Sequence, residues 1–563
     1  MASYLSPGVY VEEFDSGPVP MQGVSTSTAG FIGLAERGPV VGKPQFITSF
    51  AAYKRIYGGY LGEAKYGVNR FLPYAVEQFF ANGGSRAYVT RVAPEGAEAA
   101  GAASGALKIT AANPGDWGNQ IRVTVSEAHK AKTLVKSLNG AELTLKNPDG
   151  FNIGDIVELF NGEVKAYAEI KNAADGLITL DAPCTMDDIA DTTPGTPKYI
   201  RTVEISLSVK LGETVEFFAD LSLNGEAVNY IGSRVSKSEL IRVELEPGEA
   251  VTGENLLAYD GLTLALEGGT DGDVLNVDAT VFNGTDNGPG KRTGLASFLE
   301  NNDVSIIAEP GVTLPAAQAA LIAHCENLKS RFAVLDIPAD LKKVGEVGEF
   351  RDMYDSTYAA IYHPWLEALD PLSKRGAYFP PSGAICGIYA RADTERGVHK
   401  APANEVVRGC TGLSVTYNAG EQDILNPIGV NLIRAFTGRG IRVWGARTIS
   451  SNGLWKYINV RRLFIFVEES IKANTNWVVF EPNSEVLWSR VSKTIEMFLA
   501  GVWRTGALAG TSPSEAFYVE CGRATMTQDD IDNGRLICNI GIAPVKPAEF
   551  VIFRITQHTA SAE

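Results

Sequence analysis

The stretch VSIIAEPGVTLPAAQAALIAHCENLKSRFAVLDIP, residues 304–338, decides the fold of the second half of the chain. Its first apolar run ends at Glu309-Pro310-Gly311, and its last apolar run, Phe332–Ile337, ends at Pro338. The pattern between them predicts a helix over 315–328. A strand, a helix and a strand at this spacing form a βαβ unit, in which the two strands lie parallel.

The same order occurs near the N-terminus. A buried strand is predicted at Gly30–Ala35, a helix over 71–81 that stops at Asn82-Gly83-Gly84, and a returning strand at Ala87–Val92. We therefore expect an α/β layer here as well. The next segment, Ala93–Ala106, is rich in Ala, Gly and Glu and is predicted to be a linker.

Further elements are predicted towards the C-terminus. Helical spacing of apolar residues indicates two amphipathic helices, and three later runs predict strands. The first helix carries Val460, Leu463, Phe464, Val467 and Ile471; the second carries Leu487, Val491, Ile495, Phe498 and Val502, with Asn483 or Ser484 as its N-cap; the strands are Phe517–Cys521, Leu536–Ile542 and Phe550–Ile555.

Residues 104–290 are rich in predicted strands. Within them, residues 128–200 are predicted to form a nested module, since the run Phe151–Leu159 followed by Asn161-Gly162 is typical of a strand and hairpin turn in a small barrel. The loop Asp191–Lys198 is expected to close this module.

The negative charge is concentrated in the middle of the chain. The 563 residues contain 50 Lys and Arg and 66 Asp and Glu, a net charge of −16. Residues 126–290 carry 12 basic and 28 acidic side chains, so they hold the whole excess, while the flanks nearly balance. An acidic block favours a solvated surface, and balanced flanks suit a part that packs against copies of itself.

The composition and motifs exclude several function classes. The length allows three or four domains, and the charge argues against a nucleic-acid binder. No apolar run is long enough to span a membrane, and MASYLSPGVYVEEF has no secretory pattern, so we expect release by lysis or assembly. Walker, HExxH and GxSxG motifs are absent from the sequence. No catalytic, cofactor-binding or metal site is predicted.

The remaining polar motifs have simple explanations. The six cysteines are widely spaced and are expected to be small buried apolar residues. Gly268–Asp273 resembles part of a calcium loop but lacks the later Glu, so it is interpreted as a turn, with an ion or contact site as the alternative. Asp529, Asp530 and Asp532 indicate a solvated loop or a helix N-terminus.

The short strand Val9–Phe14 lies between Pro-Gly breakers and cannot form a sheet alone. It either pairs within its own fold or adds to the edge of a sheet in another chain.

An ordered series of stretches resembles the contractile tail sheath proteins of phages and of related injection machines. The series covers residues 1–125 and 203–563 and consists of PGVYVEE (7–13), AVEQFFANGGSRAYVTRV (75–92), NPGDWGNQIRV (113–123), EGGTDG (267–272), RTGLASFLENNDVSIIAEPG (292–311), FPPSGAICGIYARADTERGVHKAPANE (379–405), LNPIGVNLIRAFTGRGIRVWGART (425–448), WKYINVRRLFIFVEESI (455–471), TMTQDDIDNGRL (525–536) and IAPVKPAEFVIFRI (542–555). His399 departs from the family pattern, which has a bulky aromatic residue there, and residues 128–200 have no match.

The resemblance implies a fold class and a domain division. The expected fold is a multidomain α+β or α/β chain, with a sheath core of mixed sheets and helices and β-rich inserted outer domains. The domains expected are an N-terminal arm (1–20), the first part of the core (21–103), the outer insertion (104–290) with its nested module, the C-terminal core (291–543) and a C-terminal arm (544–563).

It also implies strand exchange between subunits, with hinges at Ser16–Pro20 and Ala543–Pro547. The implied donor residues are Val9, Tyr10, Val11, Glu12, Glu13, Phe14, Phe550, Val551, Ile552, Phe553, Arg554 and Ile555; the acceptor edge is Leu536, Cys538, Ile540 and Ile542; a helix facing the tube would present Glu485, Arg490, Lys493 and Arg504.

The implied function is that of a structural subunit, not an enzyme, which polymerises around a tail tube and contracts to drive it through a cell envelope. The implied partners are further copies in a helical stack of hexameric rings, the tube protein, and baseplate and terminator proteins, without nucleic acid or membrane insertion. The location would be a virion tail or an extracellular particle assembled in the host cytoplasm. A bacteriocin or injection-system sheath is the alternative; a surface-layer or adhesion protein and a hydrolase housed in the insertion are more remote.

Overall fold

The computed structural model describes residues 21–161, 164–174, 176–181, 197–245 and 258–552. The α-helices of these ranges are, in chain order, α1 (Phe50–Tyr57), α2 (Glu63–Tyr66), α3 (Leu72–Ala81), α4 (Ile231–Val235), α5 (Ala279–Asn283), α6 (Pro315–Leu328), α7 (Val344–Arg351), α8 (Ser382–Arg396), α9 (Ala419–Leu425), α10 (Ile458–Asn474), α11 (Glu485–Arg504), α12 (Pro513–Ala516) and α13 (Gln528–Asp532).

The strands are numbered in the same way. Those before residue 182 are β1 (Ala29–Gly33), β2 (Gln45–Ile47), β3 (Ala87–Arg91), β4 (Ala97–Glu98), β5 (Gly101–Ser104), β6 (Leu107–Ala111), β7 (Arg122–Ala128), β8 (Lys132–Asn139), β9 (Glu142–Leu145), β10 (Ile156–Asn161), β11 (Val164–Ala174) and β12 (Leu177–Leu180). Those after residue 196 are β13 (Tyr199–Thr202), β14 (Glu204–Leu211), β15 (Thr214–Leu221), β16 (Ile241–Leu245), β17 (Thr263–Ala265), β18 (Thr270–Asp271), β19 (Ile306–Ala308), β20 (Phe332–Asp336), β21 (Ala359–His363), β22 (Leu366–Leu369), β23 (Gly376–Phe379), β24 (Gly412–Leu413), β25 (Val430–Phe436), β26 (Gly440–Val443), β27 (Phe517–Cys521) and β28 (Cys538–Ile542).

An eight-stranded sheet joins the two halves of the chain. Its strand order is β2-β3-β1-β19-β20-β21-β25-β26. Both predicted strand-helix-strand units are confirmed, since β1 lies parallel to β3 and β19 lies parallel to β20. Strand β1 joins the units, because Ala29 pairs with Ala87 on one side and with Ile306 on the other. Every residue of β1, β20 and β21 is buried, as the parallel centre of a sheet covered on both faces requires.

Helices α3 and α8 pack closely because α8 carries glycines at the contact. A side-chain carbon on Gly383 would lie 2.5 Å from the Ala75 backbone, and one on Gly387 would lie 2.4 Å from the Phe79 carbonyl oxygen. Such distances leave room only for a hydrogen atom. The glycines of SGAICG, residues 382–387, therefore allow α3 to pack directly against α8.

The insertion has its own core between two sheets. Strands β15-β14-β7-β17 form one sheet and β16-β6-β5 the other, and they enclose buried apolar residues that include Trp117, Ile121 and Leu207. The prediction of a linker at Ala93–Ala106 is wrong, because β4 pairs with β18 and β5 pairs with β6. Small residues can form strands where a partner edge supplies the hydrogen bonds.

A closed six-stranded barrel lies within 132–202, in the range of the predicted nested module. Its strand order is β10-β11-β12-β9-β8-β13, and its interior holds residues such as Leu143, Val157 and Ile178. The chain enters and leaves it through β7 and β14, where Ala128 pairs with Glu204. Most of the loop predicted to close the module, 191–196, and Cys184 lie outside the described residues.

The C-terminal part packs α10, α11 and the β27–β28 hairpin around one apolar cluster. Both amphipathic helices are confirmed, and α11 has Ser484 as its N-cap. The described part of the strand predicted at Phe550–Ile555 does not pair within the single chain, because Phe550–Ile552 belong to no strand there; residues 553–555 lie outside the described ranges. Among the described helices, none has the length and apolar character needed to cross a bilayer.

Candidate assembly surfaces

The β27–β28 hairpin presents one apolar face and one unpaired edge. Phe517, Val519, Ile540 and Ile542 are half-buried against the α10–α11 cluster, while the alternate residues point to solvent. This alternation is what a strand of period two produces on the surface of a helical layer.

The hydrogen-bond register shows which backbone groups of β28 point away from β27. Just beyond the strands, the Ala543 N–H donates to the Ala516 carbonyl at 2.8 Å, so this pair is of the hydrogen-bonded type. Because the two pair types alternate along an antiparallel ladder, Cys538, Ile540 and Ile542 stand in non-hydrogen-bonded pairs with β27. Their own N–H and C=O groups therefore face the outer edge.

In the described part of the chain, β28 has β27 as its single strand partner. Three of the four residues predicted as an acceptor edge thus lie on an unpaired strand edge. The fourth, Leu536, is half-buried and stands two residues before the strand begins.

The chain beyond β28 is held against the body at two points. The first is the segment 507–509, where the Ala509 N–H donates to the Ala543 carbonyl at 2.8 Å and the Val545 N–H donates to the Ala507 carbonyl at 3.1 Å. The sequence predicts a hinge at Ala543–Pro547. In this structure, backbone hydrogen bonds hold Ala543 and Val545 of that range against the segment 507–509.

The second point is Glu549, which accepts hydrogen bonds from three side chains and lies 3.9 Å from a fourth, Lys456. Arg447 Nη2 lies 2.6 Å from Glu549 Oε2, and Arg447 Nε donates to Oε1 at 2.7 Å. Asn426 Nδ2 donates to Oε1 at 2.8 Å and the Tyr457 hydroxyl donates to Oε2 at 3.0 Å. Burial opposes ionisation of Glu549, but the hydrogen bonds from Arg447 and Asn426 outweigh it and hold the pKa of this carboxyl below its ordinary value.

We call Glu549 and the side chains that bind it the Glu549 clamp. Immediately after this clamp, three apolar side chains face solvent. Phe550, Val551 and Ile552 are 72%, 68% and 78% exposed. Three consecutive exposed apolar residues on an extended segment favour burial against a partner. Of the predicted C-terminal donor residues, these three are therefore placed on the surface, and Phe553, Arg554 and Ile555 lie outside the described residues.

A cleft of about 1110 Å³ lies between this segment and the main body. His399, Glu405, Arg434, Trp444 and Lys546 are among its lining residues. His399, the residue that departs from the family pattern, accepts a hydrogen bond at its backbone oxygen from Asn459 Nδ2 at 2.8 Å.

The described chain begins on the surface of α10. Gln22 and Asn474 exchange hydrogen bonds, with Asn474 Nδ2 donating to the Gln22 carbonyl at 2.8 Å, and the Val24 N–H donates to Ser470 Oγ at 3.1 Å. Gly23 passes the Phe466 ring so closely that a side-chain carbon would lie 2.7 Å from it. The predicted donors Val9, Tyr10, Val11, Glu12, Glu13 and Phe14 precede the described residues.

Beyond Val24, the N-terminal segment contacts a buried ion pair. Arg462 Nη2 lies 2.6 Å from Asp393 Oδ2, and both side chains are 3% exposed. The Thr26 hydroxyl donates to Asp393 at 2.6 Å, and Arg462 donates to the Thr26 carbonyl at 2.9 Å. The N-terminal segment, α8 and α10 are therefore joined by one polar cluster.

The first and the last described segments of the chain thus contact opposite ends of α10. The N-terminal segment bonds to Asn474, the last residue of the helix, and the C-terminal segment bonds to Tyr457, its N-cap. A helix of 17 residues is about 25 Å long. Sequence reasoning missed Glu549, Arg447, Asn474 and Ser470, because single polar residues carry no periodic signal.

All four residues predicted to face a tube are exposed on α11. Lys493 and Arg504 project to solvent, Arg490 lies 4.5 Å above the Trp477 ring, and Glu485 pairs with Arg523 at 3.2 Å. Sequence reasoning missed the exposed apolar side chains beside the start of this helix, which are Val479, Phe480 and Val486.

Asp271, in the stretch that resembles a calcium loop, bonds instead to the protein. Lys65 Nζ lies 2.5 Å from it, the Tyr66 hydroxyl donates to it at 2.9 Å and Arg91 lies 3.9 Å away. Burial acts against its ionisation, but Lys65 and Tyr66 outweigh burial and lower the pKa of Asp271. This network fastens the insertion to the main sheet, so the contact interpretation is the one supported.

Two carboxyl groups are buried at the carboxyl edge of the main sheet. Burial raises the pKa of Glu309 to about 8 and that of Asp336 to about 6. Asp336 accepts hydrogen bonds from the Ser382 hydroxyl at 2.6 Å and from the Gly311 N–H at 2.9 Å, whereas neither carboxyl oxygen of Glu309 has a partner among the described residues. Within those residues, no cluster of three or more His, Cys, Asp or Glu could hold a metal ion.

The family comparison covers the C-terminal half. Residues 285–449 match the model of the phage tail sheath protein central domain, and residues 450–558 match that of the phage tail sheath C-terminal domain.

Individual relatives agree with this match. The chain is 25% identical to a prophage major tail sheath protein of Pseudomonas aeruginosa over 47% of this chain and 69% of the relative. It is 28% identical to the tail sheath protein of Escherichia phage P2 over 40% of this chain and 60% of the relative. The cryo-EM structure of an extracellular contractile injection system, the PVC sheath complex in its contracted state, is similar in fold, with a TM-score of 0.54 and 21% identity over 99% of both chains.

Proposed function

We propose that this chain, which matches both phage tail sheath domains, is the structural subunit of a contractile sheath. In this proposal it polymerises helically around a tail tube and contracts to drive the tube through the envelope of a target cell. The single observation that carries the proposal is the arrangement of the first and last described segments. Gln22 and Glu549 bond to opposite ends of α10, while β28 keeps an edge that no other described strand pairs with.

The unpaired edge and the exposed terminal segment complement each other. The sequences of Phe550–Ile555 and Val9–Phe14 favour strands, and the described residues Phe550–Ile552 belong to no sheet of the single chain. The outward groups of Cys538, Ile540 and Ile542 can hydrogen-bond an added strand. We propose that each subunit donates both segments to neighbours and receives theirs beside β28, with Leu536 extending the acceptor. A contact of this kind that does not close into a ring generates a helix.

Strand donation suits a polymer that must shorten without falling apart. The backbone ladders keep their topology, and the spans beyond the two anchors absorb the rotation of the bodies. The bonds at Ala543 and Val545 support a flexible span that starts after Glu549 rather than at Ala543–Pro547. Ser16–Pro20 serves as the N-terminal hinge in this proposal.

The work of contraction comes from relaxation of the lattice. An extended sheath kept by a kinetic barrier relaxes to a more compact lattice with larger interfaces, and no nucleotide is needed. Our proposal contains no catalytic step.

In the proposed sheath, each domain expected from the sequence lies on the outer or the inner side of the helical polymer. The acidic insertion, 104–290, projects outwards into solvent, and the core segments 21–103 and 291–543 face inwards and carry the arms 1–20 and 544–563. The exposed face of α11 with Glu485, Arg490, Lys493 and Arg504 contacts the tube. The basic side chains there indicate an acidic tube surface.

The proposed partners are further copies of the chain, the tube, and baseplate and terminator proteins. The particle is assembled in the host cytoplasm and acts as a virion tail. A bacteriocin or an extracellular injection system would use the same subunit. Purified particles with a genome-filled capsid support the phage assignment, whereas particles without a capsid support the alternatives.

The experiment is polymerisation of the purified chain, followed by negative-stain and cryo-electron microscopy. We expect tubes from the full chain and folded monomers from variants lacking 1–20 or 550–563. A variant lacking only 556–563 is the matched control, because it keeps the donated segment, and it should still form tubes. Tubes of unchanged dimensions from either of the first two deletions would contradict strand donation.

A further inference from the structure

Two cysteines face each other across the C-terminal hairpin. Cys521 is the last residue of β27, Cys538 is the first of β28, and the register pairs them directly. Both side chains are half-buried on the face that packs towards α11.

The type of pair determines how close their backbones come. Ala516 and Ala543 form a hydrogen-bonded pair, and the types alternate along the ladder, so five steps further Cys521 and Cys538 form a non-hydrogen-bonded pair. Cα atoms of such pairs lie about 4.5 Å apart. Disulfides span Cα distances of roughly 4.4–6.8 Å, so the spacing of a pair of this type lies within the range that a disulfide can bridge.

The register places the two side chains next to each other on one face of the hairpin. The other described cysteines differ. Cys325 and Cys386 are fully buried, and the Cys410 thiol donates to the Val407 carbonyl at 3.4 Å. All five described cysteines are reduced in this structure.

We propose that Cys521 and Cys538 are a disulfide-forming pair, which a small-molecule disulfide such as oxidised glutathione converts to the cystine form once the protein leaves the reducing cytosol. The Cys521 thiolate attacks the small disulfide, giving a mixed disulfide and one released thiolate. The Cys538 thiolate then attacks Cys521 Sγ and releases the second small thiolate. Two protein thiols and one small disulfide become one protein disulfide and two small thiols.

The order of attack follows from the unequal pKa values of the paired thiols. Burial raises the pKa of both thiols; the neighbouring Cys538 offsets part of this rise at Cys521, whereas the neighbouring Cys521 adds to it at Cys538, whose pKa rises to about 12. Cys521 therefore ionises first and is the attacking thiol.

The bond would close the segment 522–537 into a covalent loop. It lies on the face that packs towards α11, so it leaves the outward N–H and C=O groups of β28 unobstructed. Its value to the particle rests on the proposed function, because the hairpin would bear the load of donated strands, and a cross-link between its two strands prevents them from separating. Closing a loop of this length restricts the unfolded chain appreciably.

The test incubates the full-length chain, unpolymerised, with oxidised or reduced glutathione, then blocks residual thiols and maps the peptides by mass spectrometry. We expect the Cys521–Cys538 cross-link, with the mass loss of two hydrogen atoms, in the oxidised sample only. The Cys410→Ser variant is the matched control and should form the same cross-link, whereas Cys521→Ser should leave Cys538 open to alkylation.

Hydrogen exchange is the second measurement. Amides of β28 should exchange at least about 10-fold more slowly in the oxidised chain, and those of Cys521→Ser should not respond to the oxidant. The inference would be overturned if Cys521 and Cys538 could still be alkylated after prolonged oxidation. It would also be overturned if they formed disulfides with other cysteines instead. Because the isolated subunit is used, failure of polymerisation affects the proposed function alone and leaves this result readable.

Discussion

Arg447 and Glu549 form a two-point ion pair, Nη2 to Oε2 at 2.6 Å and Nε to Oε1 at 2.7 Å, which ties the C-terminal segment to the end of the main sheet. The Arg447 side chain is 6% exposed and that of Glu549 19%, so water screens the pair weakly. Arg447 also donates to the Asn426 carbonyl at 3.0 Å, which leaves the guanidinium little freedom. The hydrogen-bonded Arg447 side chain therefore fixes the position of the backbone just before residue 550.

The clamp should fail when Glu549 loses its charge. We expect Glu549→Gln to weaken the local structure by about 1–3 kcal/mol, because Arg447 keeps its charge and loses a charged partner. Hydrogen exchange of 545–552 should accelerate while the rest of the chain is unchanged. Lys546→Gln, an exposed substitution in the same segment, is the control and should leave the exchange rates as they are. Equal rates in the two variants would exclude the clamp.

Acid should release the same clamp. The pKa of Glu549 lies below its ordinary value in the folded chain, so the pair stabilises the segment above that ordinary value, near pH 4.5, and the contribution is lost as the pH falls through the lowered pKa. Exchange at 545–552 followed from pH 7 to pH 3 should show a rise in local opening at the acid end. In Glu549→Gln this rise should be absent.

Glu309 should make the core less stable as the pH rises. Its pKa is about 8 when folded, against an ordinary 4.5, so between these values the unfolded chain has lost the proton that the folded chain keeps. Stability therefore falls from pH 4.5 to pH 8 and then levels. Glu309→Gln should gain on the order of 3 kcal/mol at pH 7.5 and nothing near pH 4.5.

The measurement is the thermal midpoint of the core transition at both pH values. Asp336, with a pKa of about 6, also makes the protein less stable as the pH rises from its ordinary value of 3.8 to about 6. This effect is the same in the unmodified protein and in Glu309→Gln. Glu349→Gln on α7 is an exposed control and should follow the unmodified protein. A midpoint for Glu309→Gln that rises equally at both pH values would show that ionisation is not the cause.

Two ion pairs should differ strongly in their contribution to stability. Asp393→Asn leaves the buried Arg462 without a carboxylate and also disturbs Thr26, so we expect a loss of about 3–5 kcal/mol. Glu485→Gln breaks the exposed pair with Arg523 and should cost less than about 1 kcal/mol. Thermal unfolding of both variants at low and at high salt measures the difference. Similar losses in the two would contradict the burial argument.

The barrel should be removable. Ala128 and Glu204 are directly opposed in β7 and β14, so replacing residues 129–203 by an Asn-Gly turn closes the same ladder as a two-residue hairpin. We expect the shortened chain to fold and to form tubes of unchanged inner diameter, measured by cryo-electron microscopy. Collapse of the two flanking sheets, seen as loss of the far-ultraviolet circular dichroism of the whole chain, would show that the barrel belongs to the core.

Charge reversal on α11 should separate tube binding from self-assembly. Lys493→Glu with Arg504→Glu should lower co-sedimentation with the tube at least about 10-fold, since the proposed attraction becomes repulsion. Polymers formed without a tube should be unaffected, because neither side chain contacts the hairpin or the clamps. A control pair, Lys342→Glu with Lys374→Glu, changes the same net charge on exposed residues of the main body.

Elements with a local pattern could be predicted from the sequence. The strand-helix-strand units at 29–91 and 306–336, the helices α10 and α11 and the barrel strand predicted within Phe151–Leu159 follow from apolar residues that repeat with the period of a helix or a strand. Backbone geometry sets those periods within one element, so a short window of residues suffices. The ordered family motifs added the role of the whole chain.

Contacts between residues far apart in the chain could not be predicted in this way. The pairing of Ala29 with Ile306, the strands within Ala93–Ala106 and the ion pair of Arg447 with Glu549 join residues whose own surroundings in the chain give no indication of a partner. A strand edge accepts any segment that can supply backbone hydrogen bonds, and a buried charge accepts any opposite charge that packing brings near. The choice among such partners is made by the assembled fold.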